Sequence, residues 1–212
     1  MEKIEKIRKA YVEHVLENGH APASFYAFAK KIKMNESELY EYYTSFEAIE
    51  MELWDSFFEE ARATAEADET FQKYSVREKL LGIYYTWIEV LKANRSFVVY
   101  SYKKFKQPVA TKKPQELSKF KESFLSFASD LTYEGRESRE ILARPYLSSR
   151  YADGLWMNTL YILDFWVKDT SRSFELTDTA IEKTVNTAMD LMGTSVVDSV
   201  LNLAKFVYQN KQ

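Results

Sequence analysis

The sequence predicts an all-α protein, and two observations carry that expectation. Only five glycines and four prolines punctuate 212 residues, and apolar residues recur at helical spacing over long stretches. Aromatic residues make up 16% of the chain, more than a minimal core needs, which suggests an internal pocket. A chain of this length buries roughly 70% of its unfolded surface on folding, so its core requires neither disulfide nor metal.

Taken in order, Ile4, Ile7, Tyr11 and Val15 form the apolar face of a first helix. Asn18 and Gly19 end it, because both tolerate a left-handed conformation. After Pro22, Ser24 is a good N-cap for a short second helix through Phe25, Phe28, Ala29 and Ile32. Asn35 is placed to cap a third, with Glu38 at capping-box spacing and Leu39, Tyr42 and Tyr43 as the apolar face. Ser45 caps a fourth, whose stripe is Ile49, Leu53, Phe57 and Ala61. The turn near Lys33, Met34 and Asn35 has the length of a helix-turn-helix unit.

Downstream, Val76 to Asn94, a segment opening at Ser96, and Leu117 to Leu131 read as helices, with a loop bracketed by Pro108 and Pro114. Gly135 and Pro145 punctuate a charged segment. Leu155 to Asp169 is almost wholly apolar and is expected to be buried on most sides. Thr177 to Tyr208 reads as one long amphipathic helix bent at Gly193.

Composition removes several classes of function. The absence of cysteine excludes a disulfide framework, a thiolate metal site and a cysteine nucleophile. Met1 to Ala10 carries four bases and two acids and resembles no secretory segment. No apolar run approaches the roughly 20 residues of a membrane span, so a soluble cytoplasmic protein is expected. His14 and His20 are the only histidines. Glu17 and His20 give one copy of a motif that a di-iron bundle needs twice. With no metalloprotease, phosphate-loop, dinucleotide or serine-hydrolase motif, no enzyme, metal or cofactor is expected.

The first fifty residues resemble the TetR family of bacterial regulators. The likeness rests on Ser24 to Ala29 as the start of the second helix, then Met34-Asn35, Leu39-Tyr40, Tyr42-Tyr43, and Thr44-Ser45 leading into Ile49. It implies a three-helix DNA-reading domain followed by a helical ligand-binding and dimerisation domain, with boundaries at 1–46 and 47–212. It also implies DNA contacts from Ser24, Lys33, Asn35, Ser37, Tyr40 and Tyr42.

The polar positions depart from that family's pattern. A lysine usually follows the serine and meets a phosphate; this chain has Phe46. From Asn35 to Glu60 there are nine acids and no bases. Duplex affinity comes largely from lysine and arginine displacing counterions, and a carboxylate about 4 Å from a phosphate costs on the order of 1 kcal/mol even in water. The bases of this region, Lys3, Lys6, Arg8, Lys9, Lys30, Lys31 and Lys33, lie on the first two helices and beside them. They either hold a nucleic-acid backbone or line a solvated face.

Leu160 to Met192 is similar to the C-terminal part of the lipid-binding accessory proteins of ubiquinone biosynthesis, which share the TetR-like fold without acting as repressors. The shared pattern is Phe165-Trp166, then Asp169 and Ser171, then the helix from Thr177. Without any ligand, Asp169 and Ser171 also read as a helix end and Trp166 as a junction residue. Tyr84, Trp87, Tyr100, Phe124, Phe127, Trp156, Tyr161 and Phe165 are the candidate ligand-binding residues. Large rings without small partners interdigitate poorly, so a pocket for an apolar or aromatic molecule, or a lipid, is expected among them. Seven lysines against one acid between Lys103 and Lys121 form either a solvated loop or a site for an anionic headgroup.

The expectation is therefore a homodimer using Leu163, Trp166, Val185, Met189, Val196 and Val200. Two functions remain open. One is a ligand-responsive regulator that binds operator DNA. The other is a lipid- or isoprenoid-binding protein on the same fold that no longer reads DNA.

Overall fold

A computed structural model describes residues 2–105, 115–144, 147–193 and 206–210. Their helices are α1 (Glu2–Asn18), α2 (Phe25–Lys31), α3 (Glu36–Tyr42), α4 (Phe46–Glu66), α5 (Val76–Ala93), α6 (Arg95–Phe105), α7 (Ser118–Glu137), α8 (Tyr151–Lys168) and α9 (Glu175–Met192). Among the described residues there is no strand, and no helix is long and apolar enough to cross a membrane. The chain packs as two compact units, Met1–Ala61 with Trp87–Ser123, and Arg62–Thr86 with Phe124–Gln212.

In the first unit the start and stop signals act largely as their chemistry dictates. Gly19 takes φ 74, and its N–H donates to the Val15 carbonyl at 2.8 Å, closing α1. Ser24 Oγ accepts from the Ala27 N–H at 3.1 Å, and Ser45 Oγ from that of Ala48 at 3.2 Å. α2 ends in a Schellman motif: the Met34 N–H reaches the Ala29 carbonyl at 2.9 Å and the Lys33 N–H that of Lys30 at 3.3 Å. That geometry puts Lys33 at φ 56, a position glycine usually fills. The capping box expected at α3 does not form. Asn35 makes no side-chain cap bond, and Glu38 instead accepts from Lys3 Nζ at 2.7 Å, because a full positive charge on α1 outcompetes a neutral N–H.

Phe46 explains the missing lysine of the resemblance. Its ring lies 4.7 Å from Phe25, 5.5 Å from Tyr11 and 5.7 Å from Phe28, so it holds α1, α2 and α4 together. Edge and stacked ring pairs of this kind contribute about 0.5–1.5 kcal/mol each beyond area burial.

In the second unit α8 packs along α9. As expected, α8 is buried or half-buried on most sides, and it is exposed along one stripe. Leu155, Trp156, Thr159, Ile162, Leu163 and Trp166 are buried, but Met157 is 64% and Tyr161 50% exposed. One stripe meets the rest of the unit and the other is left apolar and open. Asp169 joins α8 to α9, accepting from the Ser171 N–H at 2.8 Å, the Thr177 N–H at 2.9 Å and the Thr177 hydroxyl at 2.6 Å. Trp166 packs on Phe174 at 5.9 Å, beyond a turn in which Ser173 and Phe174 take φ 55 and 64.

Burial alone would raise the Asp169 carboxyl, but the hydrogen bonds from Thr177 and Ser171 outweigh it and hold the group below its ordinary value. A depressed carboxyl stabilises the fold fully above its unfolded value of about 4 and loses that contribution as pH falls through the folded value. Asp169→Asn is therefore expected to lower stability near neutrality and to flatten the acid limb below about pH 4. Urea midpoints measured at several pH values read both effects.

α9 ends at Met192, and the expected continuation to Tyr208 runs through residues 194–205, which lie outside the described residues. Gly193 is extended, with φ −79 and ψ −168, and the Arg144 guanidinium binds the carbonyls of Leu191 at 2.7 Å and Gly193 at 2.8 Å. Arg144 thus satisfies the orphan carbonyls of the helix end. Gly135, expected to punctuate the chain, sits inside α7 instead, because its missing side chain admits Ile141. A Cβ there would lie 2.7 Å from Ile141 Cδ1 and 2.8 Å from its Cγ1. Gly135→Ala is expected to lose about 1–2 kcal/mol, an overpacking penalty partly offset by alanine's helix propensity. Urea denaturation measures it.

Candidate functional site

Five of the six residues assigned to DNA contact lie on α3 or at the ends facing the α2–α3 turn, and all but one are exposed. Ser24, Lys33, Asn35, Ser37 and Tyr40 are exposed, and Tyr42 is half-buried. The Ser24 oxygen accepts the cap bond, which leaves its hydroxyl proton free to donate. Tyr40 stacks on Phe25 at 4.9 Å with 19° between the planes, so its ring is fixed while its outer half meets solvent. Lys31 pairs with Glu17 at 3.0 Å. Lys6, Lys9, Lys30 and Lys33 have no ion pair among the described residues.

The acid-rich run divides into two groups with different surroundings. Glu50 is wholly buried. Its carboxylate accepts from the Tyr11 hydroxyl at 2.5 Å, Lys104 Nζ at 2.5 Å and the Ser101 hydroxyl at 3.0 Å. Trp54 Nε1 in turn donates to Ser101 Oγ at 3.0 Å. Glu52 accepts from Arg8 and from the Tyr43 hydroxyl. Lys119 stands 3.4 Å from Glu52 and 3.5 Å from Asp55, and Ser123 donates to Asp55 at 2.6 Å. Three acids of α4, Glu50, Glu52 and Asp55, are therefore answered in part by lysines of the segment downstream. The acids that remain between Asn35 and Glu47 are Glu36, Glu41 and Glu47, with Glu38 paired to Lys3.

These pairs leave their mark on ionisation. Burial, reinforced by the Glu50 charge, pushes the Tyr11 phenol far above its ordinary value. Burial also raises the Tyr43 phenol, to about 12. Burial works against the Lys104 charge, but the Glu50 carboxylate more than compensates and holds the ammonium above its usual value. Burial likewise opposes the Glu52 charge, and hydrogen bonds from Arg8 and Tyr43 prevail and lower its carboxyl.

The role of Glu50 escaped sequence reasoning, which grouped it with the exposed acids. Its spacing held the signal: Glu50, Trp54 and Phe58 repeat every fourth residue on α4, and the last two are buried aromatics.

Of the eight candidate ligand residues, four gather in the second unit. Phe124 lies 6.4 Å from Tyr84, 6.2 Å from Phe127 and 5.8 Å from Trp156. The Tyr84 hydroxyl reaches Thr159 Oγ1 at 2.9 Å and the Leu155 carbonyl at 3.3 Å, and burial raises its phenol well above the ordinary value. Tyr161 and Phe165 pair at 6.1 Å on α8. Trp87 and Tyr100 belong to the first unit: Trp87 packs on Phe120 at 5.3 Å, and Lys104 lies over the Tyr100 ring at 4.9 Å. Among the candidate dimer residues, Leu163, Trp166, Val185 and Met189 are buried within the single chain. Val196 and Val200 lie outside the described residues. No group of His, Asp or Glu among the described residues suits a metal ion.

The family described as "Tetracyclin repressor-like, C-terminal domain" matches residues 79–207. Among solved structures, a protein from Syntrophomonas wolfei str. Goettingen, assigned to the TetR family of transcriptional regulators, is similar over 92% of this chain and 98% of its own, with 18% identity and a TM-score of 0.70. A protein of unknown function from Rhodococcus sp. RHA1 is similar over 89% of this chain and 96% of its own, with 13% identity and a TM-score of 0.54. At these identities the structural likeness shows the fold alone. No curated protein matches.

Proposed function

The chain belongs to the tetracyclin repressor-like family, and from that premise we propose that it is a cytoplasmic, ligand-responsive transcriptional regulator that binds operator DNA as a homodimer. The observation that carries the DNA-binding part is the α2–turn–α3 unit, with Ser24, Lys33, Asn35, Ser37 and Tyr40 all exposed. In this reading residues 1–46 read DNA and 47–212 bind the ligand and the second subunit. Lys30 and Lys33 hold the phosphate backbone, Ser24 donates to it, and Asn35, Ser37, Tyr40 and Tyr42 face the groove.

The ligand would lodge among Tyr84, Phe124, Phe127 and Trp156, with Phe124 against the other three rings and the Tyr84 hydroxyl bonded to Thr159 as the polar group. Tyr161 and Phe165 are outlying contacts within the same unit, and Trp87 and Tyr100 are ligand contacts of the first unit. In the dimer, Leu163, Trp166, Val185 and Met189 form the buried framework of α8 and α9, and Met157 and Tyr161 offer the apolar surface that a second copy would cover. Ligand binding changes DNA affinity only as far as it distinguishes two arrangements of the readers.

One observation favours the second reading, a lipid-binding protein that no longer reads DNA. Glu41 is exposed and Glu36 half-exposed, on a recognition helix without a base. Gel shift at low ionic strength with duplexes from upstream of its own gene separates the two. The regulator binds at least one duplex, whereas the lipid binder binds none and carries lipid in native mass spectrometry.

A further inference from the structure

A cleft of about 530 Å3 opens in the first unit between α1, α4 and Asn94, the residue between α5 and α6. That volume is in the range of small-molecule sites, roughly 300–1,000 Å3. Its floor is apolar: Leu53 and Phe57 are almost wholly buried and Val12 is half-buried. Its lining holds three exposed carboxylates, Glu5 and Glu13 from α1 and Glu60 from α4.

The cations of the lining do not answer these acids in full. Arg8 is engaged by Glu52 and Tyr43. Lys9 alone remains, flanked at helical spacing by Glu5 and Glu13. None of the three carboxylates forms an ion pair among the described residues. The neutral polar groups are also engaged as donors: Asn94 Nδ2 bonds the Val90 carbonyl at 3.0 Å and the Ser56 hydroxyl that of Leu53 at 2.8 Å. What the cleft leaves unpaired is therefore an apolar floor and an excess of hydrogen-bond acceptors and negative charge.

We propose that this cleft binds a monovalent organic cation with an apolar body, the cationic centre among Glu5, Glu13 and Glu60 and the body against Val12, Leu53 and Phe57. An apolar floor alone would accept any hydrophobe, and the charge excess selects the cation over an anion of the same shape. This binding stands apart from the interior ring cluster of the second unit, and it does not depend on DNA being read.

Isothermal titration of the full chain with tetraphenylphosphonium and with tetraphenylborate, ions of similar shape and opposite charge, tests it. The cation should bind with one site per chain, more tightly than the anion, and more weakly as salt is raised. Glu13→Gln and Glu60→Gln should each weaken the cation about two- to fivefold, the scale of an exposed ion pair. Val12→Arg, which puts a charged side chain into the opening, should abolish binding, and circular dichroism would verify that each variant is folded. Equal affinity for the two ions, folded variants that bind as the parent does, or no binding at millimolar cation would overturn the proposal.

Discussion

Lys104→Met is expected to destabilise the protein by about 3 kcal/mol, the lower end of the range for removing one partner of a buried ion pair. The carboxylate left behind is that of Glu50, which is wholly buried, whereas the Lys104 side chain is a third exposed. Tyr11 and Ser101 still donate to it, which keeps the loss from the top of the range. Replacing both members, Glu50→Met with Lys104→Met, is expected to lose less than Lys104→Met alone, because buried pairs exchanged for apolar residues are often close to neutral. Urea denaturation of Lys104→Met, Glu50→Met and the double variant gives the comparison. A double variant as unstable as the sum of the two single changes would mean that the pair is not coupled.

The second large effect belongs to the ring cluster. Phe124→Ala should lose about 3–5 kcal/mol, the transfer free energy of the ring plus the cavity that its neighbours fail to close. Phe124 is wholly buried and touches rings from α5, α7 and α8, so those neighbours cannot all collapse inward. The resulting hole is apolar and should take up benzene. Benzene should therefore raise the melting temperature of Phe124→Ala more than that of the parent chain. An equal rise in both would show that the space around Phe124 had already relaxed.

The fold was legible to the extent that local chemistry decides it. Gly19, Ser24 and Ser45 end or start helices from their own backbone and side-chain preferences, and each does so in the structure. Asn35 and Glu38 have an equally good local pattern, but Lys3, distant in sequence, takes the carboxylate. The same holds for the end of α9, which Arg144 fixes from outside the helix.

The site was harder to read for a related reason. Two charge runs, acids between Asn35 and Glu60 and lysines between Lys103 and Lys121, looked like separate surfaces. Part of each is interior chemistry: Glu50 meets Lys104, and Lys119 meets Glu52 and Asp55. A linear count weighs every acid equally, whereas burial and pairing take Glu50, Glu52 and Asp55 out of the free surface charge. Phe46 is the converse case, since what looked like a lost phosphate contact is a ring that packs three helices.

In the proposed function, lysines beside α3, not α3 itself, supply the attraction for DNA. Fluorescence anisotropy of a labelled upstream duplex, titrated with protein at a series of salt concentrations, measures it directly. The logarithm of affinity should fall linearly with the logarithm of salt, and Lys30→Ala and Lys33→Ala should each reduce that slope by about 1. A duplex that stays unbound at the lowest salt, or a slope that neither substitution changes, would contradict the account.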